Sequence, residues 1–147
     1  MLVSDTGRVN DILEFADVMV ILVTHGKEEF DRGVALRLAV ERVIINIGEA
    51  CNRLSKTFRT DCPHIPWSDI VSMRNLMVHD YRGIDPRHVW TAATSDVPTL
   101  ALEVRKFIIN RRRVLPSQFL RARGARSRLG NRLRPGSNHE PGRRSYR

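Results

Sequence analysis

Apolar residues recur at steps of three and four along four stretches of the chain, the spacing that places side chains on one face of an α-helix. The first stretch predicts a helix over about residues 8–24. After the interruption HGKEEF, a longer stretch from Leu36 to Leu54 predicts a second helix that reaches about Phe58. We expect this second helix to form the backbone of the fold.

The segment TDCPHIPW separates the second and third helices, because its two prolines disfavour helical backbone in the residues before them. Pro66 suits the first turn of a third helix, where the missing N–H leaves no helical hydrogen bond unmade. The apolar residues that follow predict about three turns of helix, which end between His79 and Gly83.

A fourth helix is predicted to begin at Asp85 and Pro86. The carboxylate can accept hydrogen bonds from free backbone N–H groups, and proline fits the first helical position. Pro98 lies within the apolar stripe of this helix. We therefore expect a kink or a break between Ser95 and Pro98.

The fold class that these stretches predict is all-α, an antiparallel four-to-five-helix bundle, because no alternating strand pattern of useful length occurs. Beyond Asn110 the composition changes to Arg, Gly, Ser, Pro and Asn with few large apolar residues, which indicates disorder. We predict a helical domain over residues 1–110 and a disordered, Arg-rich tail over residues 111–147.

The net charge of +9 is unevenly distributed along the chain. The tail holds 12 of the 25 Lys and Arg residues and one of the 16 Asp and Glu residues, so it carries +11 and residues 1–110 carry −2. The tail is either an arm that contacts RNA phosphates or a solvated, even adventitious, extension. The basic character of the whole chain therefore says little about what the helical domain binds.

No run of residues approaches the ~18 apolar positions of a membrane-spanning helix, and the N-terminus lacks the layout of a secretory signal. We expect a cytoplasmic protein with no membrane partner. Cys51 and Cys62 belong to no closely spaced set of Cys or His residues, so we expect reduced thiols, no metal and no cofactor. Cys51 falls within the second apolar stripe and is predicted to be a core residue.

Residues 74–81 read RNLMVHDY, in which Asn follows Arg, His stands five positions after Arg, and Tyr stands two positions after His. With IGEACNRLS at 47–55, IPWSDIVSMRN at 65–75 and VHDYRGID at 78–85, this sequence resembles the HepT-like (DUF86) branch of the HEPN superfamily over about residues 8–109. The resemblance implies a HEPN bundle that forms a homodimer. It also implies a ribonuclease toxin with Arg74 and His79 as its catalytic centre.

These residue types suit RNA cleavage without a metal, which needs a group that moves protons and a cation for the phosphate oxygens. Imidazole and guanidinium supply these two functions. On a helix, however, Arg74 and His79 lie about 140° apart around the axis. Either the helix end frays or a second subunit completes the site. Asn75 shares a face with His79 and is expected to orient the imidazole or to bind the phosphate.

Tyr81 on its own reads as a partly buried ring whose hydroxyl finds one partner. The resemblance implies more, because HepT-like toxins occur with a minimal nucleotidyltransferase antitoxin that is thought to transfer AMP to this tyrosine. Adenylylation would place a negative phosphate and a bulky nucleotide beside Arg74 and His79 and so exclude RNA. The predicted partners are therefore an RNA substrate and the nucleotidyltransferase.

Two other functions compete with that of a metal-independent endoribonuclease toxin. A non-catalytic helical module that binds a nucleotidyltransferase or a nucleotide has no evident need for the intact Arg, Asn, His and Tyr motif. A nucleic-acid-binding factor would instead use the Arg-rich tail. Deletion of residues 111–147 separates the latter from an enzyme that depends on His79.

Overall fold

The computed structural model describes residues 2–79 and 83–126, with side chains through Arg113. Regular structure in these ranges is helical throughout, which confirms the all-α class. The elements are α1 (Val3–Val23), α2 (Gly26–Arg32), α3 (Val34–Asn52), α4 (Lys56–Asp61), α5 (Trp67–His79), α6 (Pro86–Thr91), a π-helical segment (Ala92–Asp96) and α7 (Val97–Arg126). None of these helices has the length and apolar character needed to cross a membrane.

The helix α3 lies at the centre of the fold and packs against both α1 and α5. Its buried face follows the predicted stripe and consists of Val40, Val43, Ile44, Ile47, Gly48, Ala50 and Cys51. From α1 the core receives Val9, Ile12, Ala16 and Met19. Burial of each valine, isoleucine or methionine among these residues contributes about 1.5–3 kcal/mol. The prediction that the second helix forms the backbone of the fold is confirmed.

The segment HGKEEF, predicted as an interruption, forms most of the short helix α2. This helix buries one residue, Phe30, so its sequence contains no apolar period to detect. Acidic Glu28 and Glu29 in the first turn and Arg32 in the last turn each lie at the helix end whose partial charge they oppose. Charge placement therefore indicates this helix better than hydrophobic periodicity does.

The second predicted helix ends at Asn52, earlier than the predicted Phe58, and α4 takes over from Lys56. The change occurs because the Ser55 hydroxyl accepts a hydrogen bond from the Phe58 N–H at 3.1 Å, which caps α4. Leu54 and Phe58 remain buried across the corner. The apolar stripe thus continues through a bend in the backbone.

The start of α1 is fixed by a buried carboxylate, Asp5, which is 1% exposed. It accepts hydrogen bonds from the Leu2 N–H (3.0 Å), the Ser55 N–H (2.9 Å) and the Ser55 hydroxyl (2.9 Å). Burial on its own raises the pKa of Asp5, but these hydrogen bonds outweigh it and hold the pKa below its ordinary value. Asp5 therefore links α1 to the cap of α4, and α1 begins earlier than predicted.

The fourth predicted helix begins as expected, because the Asp85 carboxylate accepts from the Arg87 N–H at 2.8 Å. The irregularity expected near Pro98 is present, as a π-helical segment between α6 and α7. Proline offers no N–H to the carbonyl of Thr94, four residues earlier, so the regular hydrogen-bond ladder cannot continue. The wider π turn replaces the kink or break that the sequence predicted.

The chain divides into two units, one of residues 1–110 and one that begins at Arg111. The helix α7 continues to Arg126, past the change in composition at which the sequence predicted the onset of disorder. Arginine is a good helix former and has little intrinsic reason to end a helix. The rest of the predicted tail, residues 127–147, lies outside the described residues.

Candidate active site

The start of α5 is anchored by Trp67, which is buried in the core. Its indole N–H donates to the backbone carbonyls of Cys62 at 3.0 Å and Arg59 at 3.2 Å. Cys51 and Cys62 are both buried; Cys51 was predicted to be a core residue, and burial raises the pKa of its thiol to about 12. The helix that carries the motif is therefore fixed at its first turn.

Arg74 and His79 both lie on α5, which is helical through its last residue, His79. The five-residue spacing therefore directs the two side chains about 140° apart, as the sequence predicted. Among the described residues, no hydrogen bond or ion pair joins them, and the imidazole is exposed. One copy of α5 does not bring these two groups together.

The Arg74 guanidinium is directed at α3. Its Nη2 lies 2.8 Å from Glu49 Oε2, and its Nη1 donates to Asn75 Oδ1 at 2.8 Å. Glu49 Oε2 accepts no aligned hydrogen bond within the described part of the chain, so its contact with Arg74 is chiefly electrostatic. With its side chain only 25% exposed, Arg74 is held in one orientation.

Gly48 permits α3 and α5 to approach at this point. A Cβ on Gly48 would lie 2.4 Å from Arg74 Cβ and 2.9 Å from Arg74 Cγ, closer than packed atoms allow. Glycine within a helix costs about 1 kcal/mol relative to alanine. Here that loss is offset by a packing arrangement that places the stem of Arg74 directly over the backbone of α3.

Glu49 contacts a second guanidinium on its own helix. Arg53 Nε lies 2.6 Å from Glu49 Oε1, while Oε2 is used by Arg74. Two cations and one carboxylate give this group a net charge of +1. The sequence assigned no role to Gly48, Glu49 or Arg53. A glycine followed by an acid inside an apolar stripe was the signal that could have found the first two.

Asn75 and His79 form the exposed side of the site. Because Asn75 Oδ1 already accepts from Arg74, the amide NH₂ group is the part of this side chain that is left for a ligand. In the same helix end, Leu76 and Val78 are 46% and 43% exposed. The surface near His79 therefore combines hydrogen-bonding groups with apolar area.

Tyr81 lies outside the described residues, so its modification stays a prediction. Across residues 2–79 and 83–126, no group of three or more His, Cys, Asp or Glu residues could hold a metal ion. A cavity of about 400 Å³ lies between α3, α5 and the α6–α7 region, and Ile47, Met73 and Leu100 are among its lining residues. The Arg74 and His79 side chains do not line this cavity.

These features place the chain among all-helical domains that carry an Arg–Asn pair and a His at the end of a helix. The chain belongs to the ribonuclease HepT-like family, whose profile matches residues 11–107. The HEPN, HepT-like assignment is therefore confirmed, and no solved structure matches the chain.

Three relatives illustrate the similarity. Two proteins of Methanocaldococcus jannaschii, each named "Putative RNase", are 38% and 35% identical to the chain over 95 and 99 residues. These matches cover 64% and 67% of the chain and 87% and 82% of the two relatives. A protein of Thermococcus cleftensis, named "Probable ribonuclease HepT", is 33% identical over 82 residues, which are 50% of the chain and 74% of the relative. All three relatives thus carry names that describe them as ribonucleases.

Proposed function

We propose that the chain is the toxin of a type VII-like toxin–antitoxin system and cleaves RNA as a metal-independent endoribonuclease. The observation that carries this proposal is the anchored guanidinium of Arg74. It is held by Glu49 and Asn75 on the helix that ends at the exposed His79. The ribonuclease names of the relatives support the reaction class.

In the proposed reaction, the 2′-oxygen of one nucleotide attacks the adjacent phosphorus and the bond to the 5′-oxygen breaks. His79 moves the proton: its imidazole accepts the proton of the 2′-hydroxyl, and the imidazolium so formed gives a proton to the departing 5′-oxygen. Arg74 binds the phosphate oxygens, where negative charge increases in the transition state. The Asn75 amide donates a further hydrogen bond to the phosphate. The products are a 2′,3′-cyclic phosphate and a free 5′-hydroxyl.

Two subunits are part of the proposal. Because α5 remains helical through His79, a frayed helix end does not account for how His79 and Arg74 would act on one phosphate. A homodimer resolves this by supplying His79 from one protomer and Arg74 from its partner. The exposed Leu76 and Val78 beside the motif offer apolar area for such an interface. A monomer mass by light scattering at micromolar concentration would contradict this arrangement.

We further propose that a minimal nucleotidyltransferase antitoxin neutralises the toxin in the cytoplasm by adenylylating Tyr81. Tyr81 follows His79 by two positions, so an AMP group on its hydroxyl would bring negative charge near the site. That charge would compete with RNA phosphate for Arg74. The same modification would obstruct a cleft shared by two protomers.

The experiment that tests this function is expression of matched amounts of the wild-type chain and of Arg74→Ala, His79→Ala and Tyr81→Phe variants, with growth and RNA integrity measured. Arg32→Ala is the control, since Arg32 is an exposed arginine on α2. We expect the Arg74 and His79 variants to lose RNA cleavage by about 10²–10⁴-fold, as is typical for removal of acid–base or charge-stabilising groups.

Tyr81→Phe is expected to arrest growth even when the nucleotidyltransferase is co-expressed. The nucleotidyltransferase should, in contrast, neutralise the wild-type chain. Equal behaviour of all the variants, with intact RNA, would favour the non-catalytic module that binds a nucleotidyltransferase or nucleotide. Cleavage that survives deletion of residues 111–147 would exclude the tail as the active part.

A further inference from the structure

We infer that Arg53 is a second RNA-backbone residue of this site, and that Glu49 holds its guanidinium beside that of Arg74. In this arrangement Arg74 binds the scissile phosphate and Arg53 binds a neighbouring phosphate of the same strand. The inference rests on the proposed function, because it requires RNA as the ligand.

The first support is the way that one carboxylate is shared. Glu49 Oε1 lies 2.6 Å from Arg53 Nε, and Glu49 Oε2 lies 2.8 Å from Arg74 Nη2. The two oxygens of one carboxylate thus fix both guanidiniums. Arg53 is the C-terminal cap residue of α3, whereas Arg74 lies on α5. Their separation is set by the carboxylate rather than by two flexible side chains.

The second support is the unequal exposure of the three side chains. Arg74 and Glu49 are 25% and 29% exposed, whereas Arg53 is 56% exposed. Glu49 engages the Nε of Arg53, and no other hydrogen bond or ion pair of the Arg53 side chain is found among the described residues. Its two terminal NH₂ groups are therefore available to phosphate oxygens, which guanidinium binds through paired donors.

The third support is the charge of the group. One carboxylate cannot neutralise two guanidiniums, so the group retains a net charge of +1 and attracts an anion. Partial burial of Arg74 and Glu49 reduces the screening of this charge by solvent. Since residues 1–110 carry −2 overall, the attraction for a phosphate chain is local to this site rather than a property of the whole domain.

A matched pair on α2 provides the comparison that the inference needs. Arg32 and Glu28 form an ion pair with the same i,i+4 spacing, at 2.8 Å. Both side chains are about three-quarters exposed, and their contact joins no other helix. If helical spacing alone explained the Arg53–Glu49 contact, then Arg32 and Arg53 would respond alike to RNA.

The test measures how binding to a fluorescein-labelled single-stranded RNA depends on salt, with His79→Ala as a non-cleaving background. Arg53→Ala is expected to weaken binding and to reduce the slope of log K against log salt by about 0.7, the value for one phosphate contact on a single strand. Arg53→Lys should keep the slope, because one charge is kept. Arg32→Ala should match the background protein.

A second readout uses the cleaving protein. Arg53→Ala is expected to raise KM more than it lowers kcat, while Glu49→Gln, which frees both guanidiniums, should lower kcat as well. Glu28→Gln is the matched control and should change neither constant. Circular dichroism and thermal unfolding establish that each variant is folded before these constants are compared.

The outcomes separate the inference from the function on which it rests. If the His79→Ala protein binds RNA and Arg53→Ala has the same slope and KM as Arg32→Ala, the inference is overturned and the proposed function stands. If the His79→Ala protein shows no salt-dependent RNA binding and the wild type cleaves none, both are overturned. A salt-dependence slope that Arg53→Ala reduces and Arg53→Lys keeps supports both the inference about Arg53 and the proposed function.

Discussion

The central helix α3 makes two contacts of different chemical character. Against α1 it joins a core of fully buried apolar side chains, among them Ile12 and Val40. Against α5 it presents Gly48 and Glu49, which meet the stem and the head group of Arg74. The first contact removes apolar area from water, whereas the second brings two backbones close and fixes a charge.

Together with the proposed catalytic role of Arg74, this difference predicts that stability and activity depend on different contacts of the same helix. Variants on the α1 side should lower the free energy of unfolding and leave the folded enzyme active. Variants on the α5 side should lower activity by more than their effect on stability explains. Each of the variants below tests that separation.

The largest effect on stability is expected from Ile12→Ala. Ile12 is 0% exposed, and truncation of such a side chain costs about 2–5 kcal/mol. Urea unfolding followed by circular dichroism measures this loss. RNA cleavage per folded molecule, assayed well below the melting temperature, should match the wild type.

The control for this variant is Ile21→Ala on the same helix, where the side chain is 64% exposed. Its effect should stay within about 0.5 kcal/mol. A folded Ile12→Ala protein with strongly reduced kcat would show that the α1 contact also positions the site, and the proposed separation would then fail.

A smaller loss is expected from Asp5→Asn, which tests whether the α1 side depends on apolar burial alone. The carboxylate accepts three hydrogen bonds, and hydrogen bonds to a charged group contribute about 1.5–3 kcal/mol. The folded-state pKa of Asp5 is below the ordinary value, so its stabilisation is present above about pH 4 and is lost as the pH falls through the folded-state pKa.

The measurement is the free energy of unfolding of wild type and Asp5→Asn at pH 7 and at pH 3 or below. We expect the difference between the two proteins to shrink at low pH, because the wild-type carboxyl is then protonated. A difference that stays constant with pH would mean that shape, and not charge, accounts for the effect of Asp5.

The sequence predicted the apolar core more completely than it predicted the contacts of the candidate site. The apolar stripes correctly predicted α1, α3 and α5, because burial against a neighbour requires a helical period. Residue chemistry at chain turns correctly predicted the cap at Asp85 and the disturbance near Pro98. Phe30 is the one buried residue of α2, so this helix has no repeating apolar pattern and was not predicted.

The candidate site could be predicted only in part. Arg74, Asn75 and His79 belong to a compact sequence motif, and the angle between Arg74 and His79 follows from helix geometry. The roles of Gly48 and Glu49 depend on which helix faces α5, which is a tertiary fact that no spacing along the chain contains. Resemblance located their segment but assigned them no chemistry.

Gly48→Ala is the direct test of the α5 side. The added Cβ would meet the Cβ of Arg74 at 2.4 Å, so the helices must separate or the Arg74 stem must move. Overpacking of this kind costs about 1–3 kcal/mol. If Arg74 has the catalytic role proposed for it, a displacement of its guanidinium by about 1 Å is enough for a loss of about 10²-fold in cleavage. Steady-state cleavage and thermal unfolding measured on one preparation give both quantities, and near-normal kcat in Gly48→Ala would contradict the positioning role of this contact.

The smallest effect, and the sharpest control for Gly48, is expected from Gly7→Ala in α1. A Cβ on Gly7 meets no atom within 4 Å, so alanine adds no clash. Alanine also reduces the conformational entropy of the unfolded chain and favours helix, which should stabilise the protein by about 0.5–1 kcal/mol. Urea unfolding detects the gain, and the cleavage rate should be unchanged. The two substitutions add the same methyl group to a helical glycine, so opposite signs in stability would assign the difference to the approach of α3 and α5. A destabilised Gly7→Ala protein would instead mean that each glycine is required by the backbone of its own helix and not by the contact between α3 and α5.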